Sequence, residues 1–371
     1  METKKINLID YSIFDKKYKN ILVTGGLGFI GSALIFRLLK ETDTNIINID
    51  KSIQRNDLIS TNYQLSNFGK SRYQFSNYDL KNENNIKEIF QKYDPDLVFH
   101  LAAESHVDRS IQSPRNFLES NIIGTYNLLE NALEHFKNIS RMRKSNFKFL
   151  HISTDEVFGS LGNSGLFNED SKYKPKSPYS ATKAASDHLV NAWFYTYGLP
   201  TMVSNCSNNY GPRQFPDKLI PNIIINAINL KSIPIYGNGL NIRDWLYVED
   251  HINALLLMAC NGKPGCRYCV GGNEEKSNIN LCKTICNILD ELKPQKSSYS
   301  SLIEFVEDRP GHDYRYAIDS SLICRDLGWR SMYEFNFTIK ETIKWYLKNL
   351  NWVNFVKKEL GYNGERLGIL N

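Results

Sequence analysis

Residues Asn20–Glu41 read NILVTGGLGFIGSALIFRLLKE, and the order of residue types in that stretch decides the fold. The first five, NILVT, form a short β-rich apolar run that stops at a glycine cluster. From Gly25 onward apolar residues recur at helical spacing, so strand, glycine turn and helix follow in that order. Gly25, Gly28 and Gly31 stand three apart. Small residues there permit a tight turn, close approach of backbone N–H groups to a pyrophosphate, and close packing of helix on strand. Glycines alone would also suit an ordinary strand-to-helix turn. The next apolar run, NIINID, sharpens the reading because it ends in Asp50, about 20 residues on, where dinucleotide-binding folds carry an acid. A carboxylate there accepts both ribose hydroxyls of an adenosine and repels a 2′-phosphate, which favours NAD over NADP.

The alternation continues outward from this unit. YQFSNYDL reads as a third strand ending at Asp79 and Leu80, beside the expected adenine. KNENNIKEIFQKY reads as a helix, DLVFHLAA as a buried strand, NFLESNIIGTYNLLENALEHF as a long helix and FKFLHISTDEVFG as a strand running into a loop. Such alternation predicts an α/β fold, a Rossmann-like doubly wound parallel sheet with ligands at the carboxyl ends of its strands. LAAESH and STDE both sit at such ends. We expect a lead over residues 1–19, an NAD-binding domain over 20–206, and a smaller α/β substrate domain over 207–371. The stretch around 241–260, RDWLYVEDHINALLLMA, is expected to return to the first domain.

Composition narrows the function classes. The 371 residues are 42% hydrophobic, enough to bury a sizeable core. Forty-five basic against 40 acidic residues leave a formal charge of +5, too mild and too evenly spread for a nucleic-acid binder, though compatible with a small anionic ligand. No apolar run is long enough to span a bilayer, and the first residues lack the apolar centre of a signal peptide. Seven cysteines, all in the C-terminal half, suggest reduced thiols in a cytoplasmic setting. Cys266 and Cys269 form a C-x-x-C, followed by Cys282 and Cys286. Zinc is one reading and buried thiols the other. No zinc-ribbon pattern accompanies the spacing, so we expect no metal.

Tyr179 and Lys183 form Y-x-x-x-K in SPYSATKAASDHLV. Helical spacing places both side chains on one face, where an ammonium lowers the phenol's pKa toward a value useful for proton abstraction. The lysine can also hold a nicotinamide ribose. Two surface residues of a helix would show the same spacing, but these follow the STDE strand and the glycine fingerprint. Thr154, Asp155 and Glu156 stand in a row where that strand runs out. Adjacent acids there could serve chemistry or merely cap the next turn.

Taken together, TGGLGFIGS, HLAAESHVDRSI, HISTDEVFG, PYSATKAASDHLV, NCSNNYGPRQFPDKLIP, GNGLNIRDWLYVEDH and EDRPGHDYRYAID resemble the dTDP-glucose 4,6-dehydratases, extended short-chain dehydrogenase/reductases, from about Asn20 to Trp329. The resemblance implies a lyase that oxidises C4 of a nucleoside-diphosphate-glucose, eliminates water across C5 and C6, and returns the hydride to C6. Tyr179 would take the C4 hydroxyl proton, Glu156 the C5 proton, and Asp155 would protonate the departing C6 hydroxyl, with Thr154 on the C4 oxygen. NAD contacts carried over by resemblance, beyond the three glycines, are Phe29, Ile30, Asp50, Asp79, Leu80, Ala102, Ala103, Ser105, Ser120, Tyr179, Lys183 and Asn209. Substrate contacts are Ser105, Thr154, Asn208, Lys218, Leu219, Arg243, Asn278, Arg309 and His312. Arg243 and Arg309 suit a diphosphate, though a surface salt bridge is their plainer use. His106 and His151 are read as structural or supporting residues.

Phe158 stands where the family usually has tyrosine, Arg213 lies in a variable stretch, and neither the lead nor the tail after Leu350 matches a pattern. The resemblance also implies a homodimer, pairing helices around Asn116–His135 and Pro178–Tyr197. It leaves open dTDP against UDP and the downstream deoxysugar, rhamnose among others. A 4-epimerase or decarboxylase on the same scaffold, and a non-catalytic NAD or sugar-nucleotide binder, are the alternatives. The intact Thr154–Asp155–Glu156 run speaks against the former, and the complete Tyr–Lys–acid set against the latter.

Overall fold

The protein, a computed structural model, is described over residues 9–52 and 70–362. β1 (Asn20–Thr24) pairs in parallel with β2 (Asn45–Ile49) on one side and with β4 (Leu97–His100) on the other. With β3 (Tyr73–Ser76), β5 (Lys148–Thr154), β6 (Thr201–Cys206) and β10 (Arg267–Val270) they make a seven-stranded sheet in the order β10-β6-β5-β4-β1-β2-β3. Every adjacent pair is parallel. Ile21, Leu22 and Val23 are fully buried, as a strand covered on both faces requires. The chain winds outward in opposite directions from β1 and β4. A crevice opens at such a reversal, beyond the carboxyl ends of the strands.

One face of the sheet is covered by the helix Phe29–Glu41, which packs on the helix Val248–Asn261 through Leu34, Ile35, Leu38, Ile252, Leu255 and Leu256. The other face carries the helices Glu83–Tyr93, Gly124–Asn138 and Pro178–Tyr197, with Ile86, Leu128, Leu129 and Val190 in a separate core. The Val248–Asn261 helix therefore does lie on the first sheet. The strand before it does not: β9 (Ile242–Tyr247) joins β7 (Asn208–Tyr210) and β11 (Glu275–Ser277) in a small mixed sheet. β10, further along the chain, completes the large sheet beside β6.

A second core lies between the helices Leu219–Ile228, Asn278–Leu292 and Phe335–Lys348, built on Ile220, Ile224, Leu281, Ile285, Ile339 and Ile343. Beside it, β8 (Ile233–Tyr236) pairs in parallel with β12 (Ile303–Val306). Cys282 and Cys286 are fully buried in this core, whereas Cys269 is in β10, so the two cysteine pairs lie in different parts of the fold.

Both chain ends, which carry no recognisable pattern, are structural where they are described. Asp10 caps a short helix, Tyr11–Lys17, by accepting from the backbone N–H groups of Ser12 and Ile13. That helix buries Phe14 completely in the first core. The Tyr18 hydroxyl donates to the Ala259 carbonyl at 2.6 Å and Lys17 Nζ to the Cys260 carbonyl at 2.9 Å. Lys148 Nζ donates to the Ala259 carbonyl at 2.8 Å. These donors satisfy carbonyls that the Val248–Asn261 helix leaves open at its C-terminus. The tail forms a helix, Leu350–Leu360, that buries Trp352, Val353 and Val356 in the second core. The rest of the lead and tail, residues 1–8 and 363–371, lies outside the described residues. No described helix is long and apolar enough to cross a membrane.

Truncating a buried phenylalanine to alanine costs about 3–5 kcal/mol. Phe14→Ala is accordingly expected to lower urea-unfolding stability by that amount, and an unchanged midpoint would show that the lead is dispensable to the core.

Candidate active site

The glycine turn has the geometry that a dinucleotide needs. Gly25 takes a left-handed φ of +71°, and a Cβ there would lie 2.6 Å from the Ala102 backbone nitrogen. A Cβ on Gly31 would lie 2.3 Å from the Gly25 carbonyl oxygen, so only glycine lets this helix approach its strand so closely. Gly28 is the N-cap of the Phe29–Glu41 helix and supplies no side chain to it, which leaves the first N–H groups of the helix available to an anion. Asp50, at the end of β2, accepts from the Leu27 backbone N–H at 3.0 Å and so faces the turn. The residues present thus fit an NAD pyrophosphate and adenosine ribose.

Beyond β4, Ala102 donates its backbone N–H to Thr24 Oγ1 at 3.2 Å. Ser120 lies in a π-helical turn, Leu118–Ile123, within the long helix. Such turns are rare and recur at functional sites. Leu80 is buried, Asp79 forms an ion pair with Lys81, and Asn209 Oδ1 pairs with His251 Nδ1 at 2.9 Å.

Thr154 ends β5 and acts as N-cap of a single helical turn, Asp155–Phe158. Its hydroxyl accepts from the Glu156 N–H at 3.2 Å and donates to Asp155 Oδ1 at 3.3 Å. The threonine does the capping, which leaves both acids available. They meet different surroundings. Asp155 is 1% exposed, and its Oδ2 has no hydrogen-bond partner among the described residues. Burial, then the charges of Glu156 and Asp244, push its pKa well above the carboxylate range. Glu156 reaches the pocket wall. Burial raises its pKa too, but Arg309, Arg243 and Lys218 pull against that rise. Burial thus favours the neutral form of both carboxyls, strongly at Asp155 and less so at Glu156, where the three cations oppose it.

Tyr179 and Lys183 lie one turn apart on Pro178–Tyr197. That helix is started by a capping box between Ser177 and Ser180 with Pro178 in its first turn, and ended by Gly198 in the left-handed region. Both side chains are buried. Lys183 Nζ donates to the Ile152 carbonyl at 2.8 Å, which fixes it against β5. Burial raises the Tyr179 pKa well above normal, with Glu156 adding to the rise and the Thr154 hydroxyl opposing it.

Glu156 forms part of the wall of a pocket between the two cores. Ser105, Asn208, Lys218, Leu219, Arg243, Asn278, Arg309 and His312 line the same pocket, so the expected substrate residues converge apart from Thr154. Thr154 sits with Asp155, Tyr179 and Lys183 in the buried layer behind. Arg243 is not a surface residue: it is 6% exposed, stacks 4.4 Å over the Tyr316 ring and donates to the Asp313 carbonyl at 3.0 Å. Arg309 lies 3.5 Å from Asp108, and Lys218 Nζ donates to the Ser105 carbonyl at 2.9 Å.

Several lining residues were not expected from the sequence. His106, read there as structural or supporting, faces the pocket with Nε2 3.6 Å from Asp217. Trp245 and Tyr316 lie inside recognisable motifs and could have been inferred from them. Tyr236 and Tyr362 could not, because no local pattern marks them. Tyr362 is brought in by the C-terminal helix, and its hydroxyl accepts from Asn222 Nδ2 at 2.6 Å. Arg213 lies elsewhere, its guanidinium 4.5 Å over the Phe36 ring.

Residues 22–342 match the family model described as GDP-mannose 4,6 dehydratase. The chain is 52% identical over 347 residues to the dTDP-glucose 4,6-dehydratase of Salmonella typhimurium, covering 91% of this chain and 95% of that one. Among solved structures it is similar to the dTDP-glucose 4,6-dehydratase of Bacillus anthracis in complex with NAD, at 37% identity and a TM-score of 0.79, covering 91% of this chain and 99% of that one. The dTDP-glucose 4,6-dehydratase of Streptomyces venezuelae with NAD and TYD bound matches at 35% identity and a TM-score of 0.81, over 91% of this chain and all of that one.

A methyl group at Gly31 has no room against the Gly25 carbonyl. Overpacking of this kind costs about 1–3 kcal/mol, so Gly31→Ala is expected to weaken NAD binding by about tenfold or more. Calorimetric titration of NAD into the variant is the check, and wild-type affinity would refute the cradle.

Proposed function

The chain belongs to the dTDP-glucose 4,6-dehydratase family, and from that premise we propose that it converts dTDP-glucose into dTDP-4-keto-6-deoxyglucose and water as an NAD-dependent hydro-lyase. The observation that carries this reading is the split between two adjacent acids, Asp155 buried and driven toward its neutral form, Glu156 facing three cations. Elimination across C5 and C6 needs one group to remove a proton and another to donate one, and neighbouring acids with separated pKa values meet both needs at one pH.

The diphosphate is held by Arg243 and Arg309, with Lys218 as a third cation of the same pocket. Thr154 hydrogen-bonds the C4 oxygen while Tyr179 takes the C4 hydroxyl proton, having first given up its own against the rise that burial imposes, a loss that the Lys183 ammonium one turn away favours. When bound, NAD⁺ supplies reversible two-electron chemistry, accepting the C4 hydrogen with its electron pair and giving it back at C6. The ketone at C4 acidifies the C5 hydrogen. Glu156 removes that hydrogen as a proton, and Asp155 protonates the C6 hydroxyl so that it departs as water. Glu156 then returns a proton to C5. The nicotinamide ends the cycle as it began, so no external reductant is consumed.

In this reading the substrate lies in the cleft between a dinucleotide-binding part, residues 20–206 with the Val248–Asn261 helix and β10, and a substrate-binding part made of most of the remaining residues from 207 on. We read the assembly as a homodimer. Leu118, Ile123 and Tyr126 on one helix and Tyr195 and Tyr197 on the other are 42–78% exposed, as helices awaiting a partner copy would be. All seven cysteines are free thiols, which suits the cytoplasm.

Incubation with dTDP-glucose and, separately, UDP-glucose, without reductant, tests the reaction by loss of water in the mass spectrum. Dehydration is expected, with dTDP-glucose preferred in kcat/KM, and a 4-epimer in place of a keto sugar would refute the reading. Removing a general acid or base lowers turnover by about 10²–10⁴-fold. Asp155→Asn and Glu156→Gln are each expected to do so, and Glu156→Gln should accumulate reduced-nicotinamide absorbance because C4 oxidation still proceeds. For the assembly, Ile123→Glu is expected to shift the light-scattering mass from dimer to monomer. A monomeric wild-type protein would refute the dimer.

A further inference from the structure

Behind the Tyr179–Lys183 pair lies a buried group of polar side chains that the chemistry above leaves without a task. Lys183 Nζ is 3.2 Å from His151 Nε2, and the same ring nitrogen is 3.3 Å from Asp187 Oδ1. Asp187 is one further turn along the lysine's helix and is 0% exposed. Its Oδ2 accepts from Ser153 Oγ at 2.9 Å, Tyr173 OH at 2.6 Å and Asn205 Nδ2 at 3.0 Å. Asn205 Nδ2 also donates to the Thr154 carbonyl at 3.1 Å. Three donors from three segments thus converge on one carboxylate directly behind the catalytic lysine.

We propose that Asp187 is the fixed counter-ion of Lys183, acting across His151, and that this buried anion keeps the lysine cationic so that Tyr179 is re-ionised after every turnover. The inference rests on the dehydratase reading, because that reaction makes a demand that an epimerase does not. Tyr179 receives the C4 hydroxyl proton and C4 remains a ketone in the product. The proton is therefore never returned to the sugar: before the next substrate is oxidised the phenol loses one proton to solvent and Asp155, which gave one to the departing water, regains one, so the cycle balances. A cation one turn away is what favours that loss.

Burial works against such a cation. It pulls the Lys183 pKa down to about 8, and the Asp187 charge opposes the fall. Asp187 itself remains below the normal carboxylate range: burial would raise it, but the His151 ring, Lys183 and the Tyr173 hydroxyl outweigh that effect. His151, pulled down to about 4 by burial and then by Lys183, is the neutral spacer. With its proton on Nδ1 the ring accepts from the ammonium through Nε2, while Asp187 Oδ1, 3.3 Å from that nitrogen, makes no hydrogen bond among the described residues and acts through its charge. His151 Nδ1 has no partner among the described residues, so both contacts involve Nε2 alone.

The other groups facing the cluster do not replace Asp187. From β4 comes the His100 ring, 5.0 Å from His151, its pKa driven well down by burial. From β6 comes the Cys206 thiol, raised to about 12 by burial and so neutral. Arg267, from β10, stacks 4.5 Å over the Tyr173 ring on the far side of Asp187. Among these, Asp187 is the anion nearest Lys183. It is a positioning residue, since it acts through His151 and Lys183 rather than on the sugar.

The test compares wild-type enzyme with Asp187→Asn, Asp187→Glu and Tyr173→Phe, each with its NAD content and melting temperature recorded. Two readouts are taken against pH: the descending limb of kcat, and the Lys183 Cε titration by NMR on ¹³C-lysine protein, assigned with Lys183→Arg. Loss of an opposite charge at this range lowers a lysine pKa by about one unit or more. Asp187→Asn is expected to move both midpoints acidward by that amount, and Asp187→Glu to restore them toward wild type. Tyr173→Phe removes a donor from the anion, leaves its charge less compensated, and should move both midpoints slightly alkaline. Unmoved midpoints in Asp187→Asn protein that melts normally and retains NAD would overturn the inference. If that variant does not fold, an unmoved or acidward midpoint in Tyr173→Phe overturns it instead. A wild-type protein that dehydrates no nucleotide sugar would defeat the functional reading alone, because the Lys183 titration still reports on Asp187.

Discussion

Taking an ionisable group out of water disfavours its charge unless other charges or hydrogen bonds compensate, and this chain buries such groups densely at the carboxyl ends of β5 and β6. Asp155, Lys183, Asp187, His151 and Tyr179 are all almost inaccessible there. Their protonation states are set by one another and by Arg243, Arg309 and Lys218, which approach from the other side of the cleft. Asp155 meets a second carboxyl and is held neutral. Asp187 meets three donors and an imidazole and is held anionic. The same solvent exclusion acts on both acids, and local partners decide the opposite outcomes.

The architecture supplies what that arrangement requires. A parallel sheet buried on both faces holds the ends of β4, β5 and β6 in register, so residues far apart in the chain share one layer. The second core places the cationic side of the pocket opposite them. Both described ends of the chain serve this framework. The N-terminal helix completes the C-terminus of Val248–Asn261, and the C-terminal helix brings Tyr362 to the pocket wall. An active site with a water-excluded interior and a charged mouth needs support on both sides, and the second core, like the first, is built on fully buried side chains.

The dinucleotide half of the site was legible in the sequence because its constraints are local. A close helix-to-strand approach requires glycine at Gly31, and a left-handed φ favours glycine at Gly25, whatever the rest of the chain does. The Tyr179–Lys183 spacing is likewise a property of one helix. The pocket residues inside long motifs were legible by resemblance, and they do converge. Tyr236 and Tyr362 were not, since nothing near them in the chain marks a ligand wall. His106, read as structural or supporting, lines the cleft beside Asp217, a placement that only the fold supplies.

By itself the sequence determined the element order, the parallel sheet, the glycine cradle and the set of reactive side chains, all of which follow from backbone sterics and periodicity within a few residues. The tertiary structure alone supplied the physical reason why Asp155 is the acid pushed further toward its neutral form. It alone decided that a threonine rather than an acid caps their turn and that an aspartate one turn beyond the lysine lies buried behind it. Those outcomes depend on burial and on charges contributed by distant segments, and an ionisation equilibrium responds to the three-dimensional field around it, which spacing along the chain does not encode.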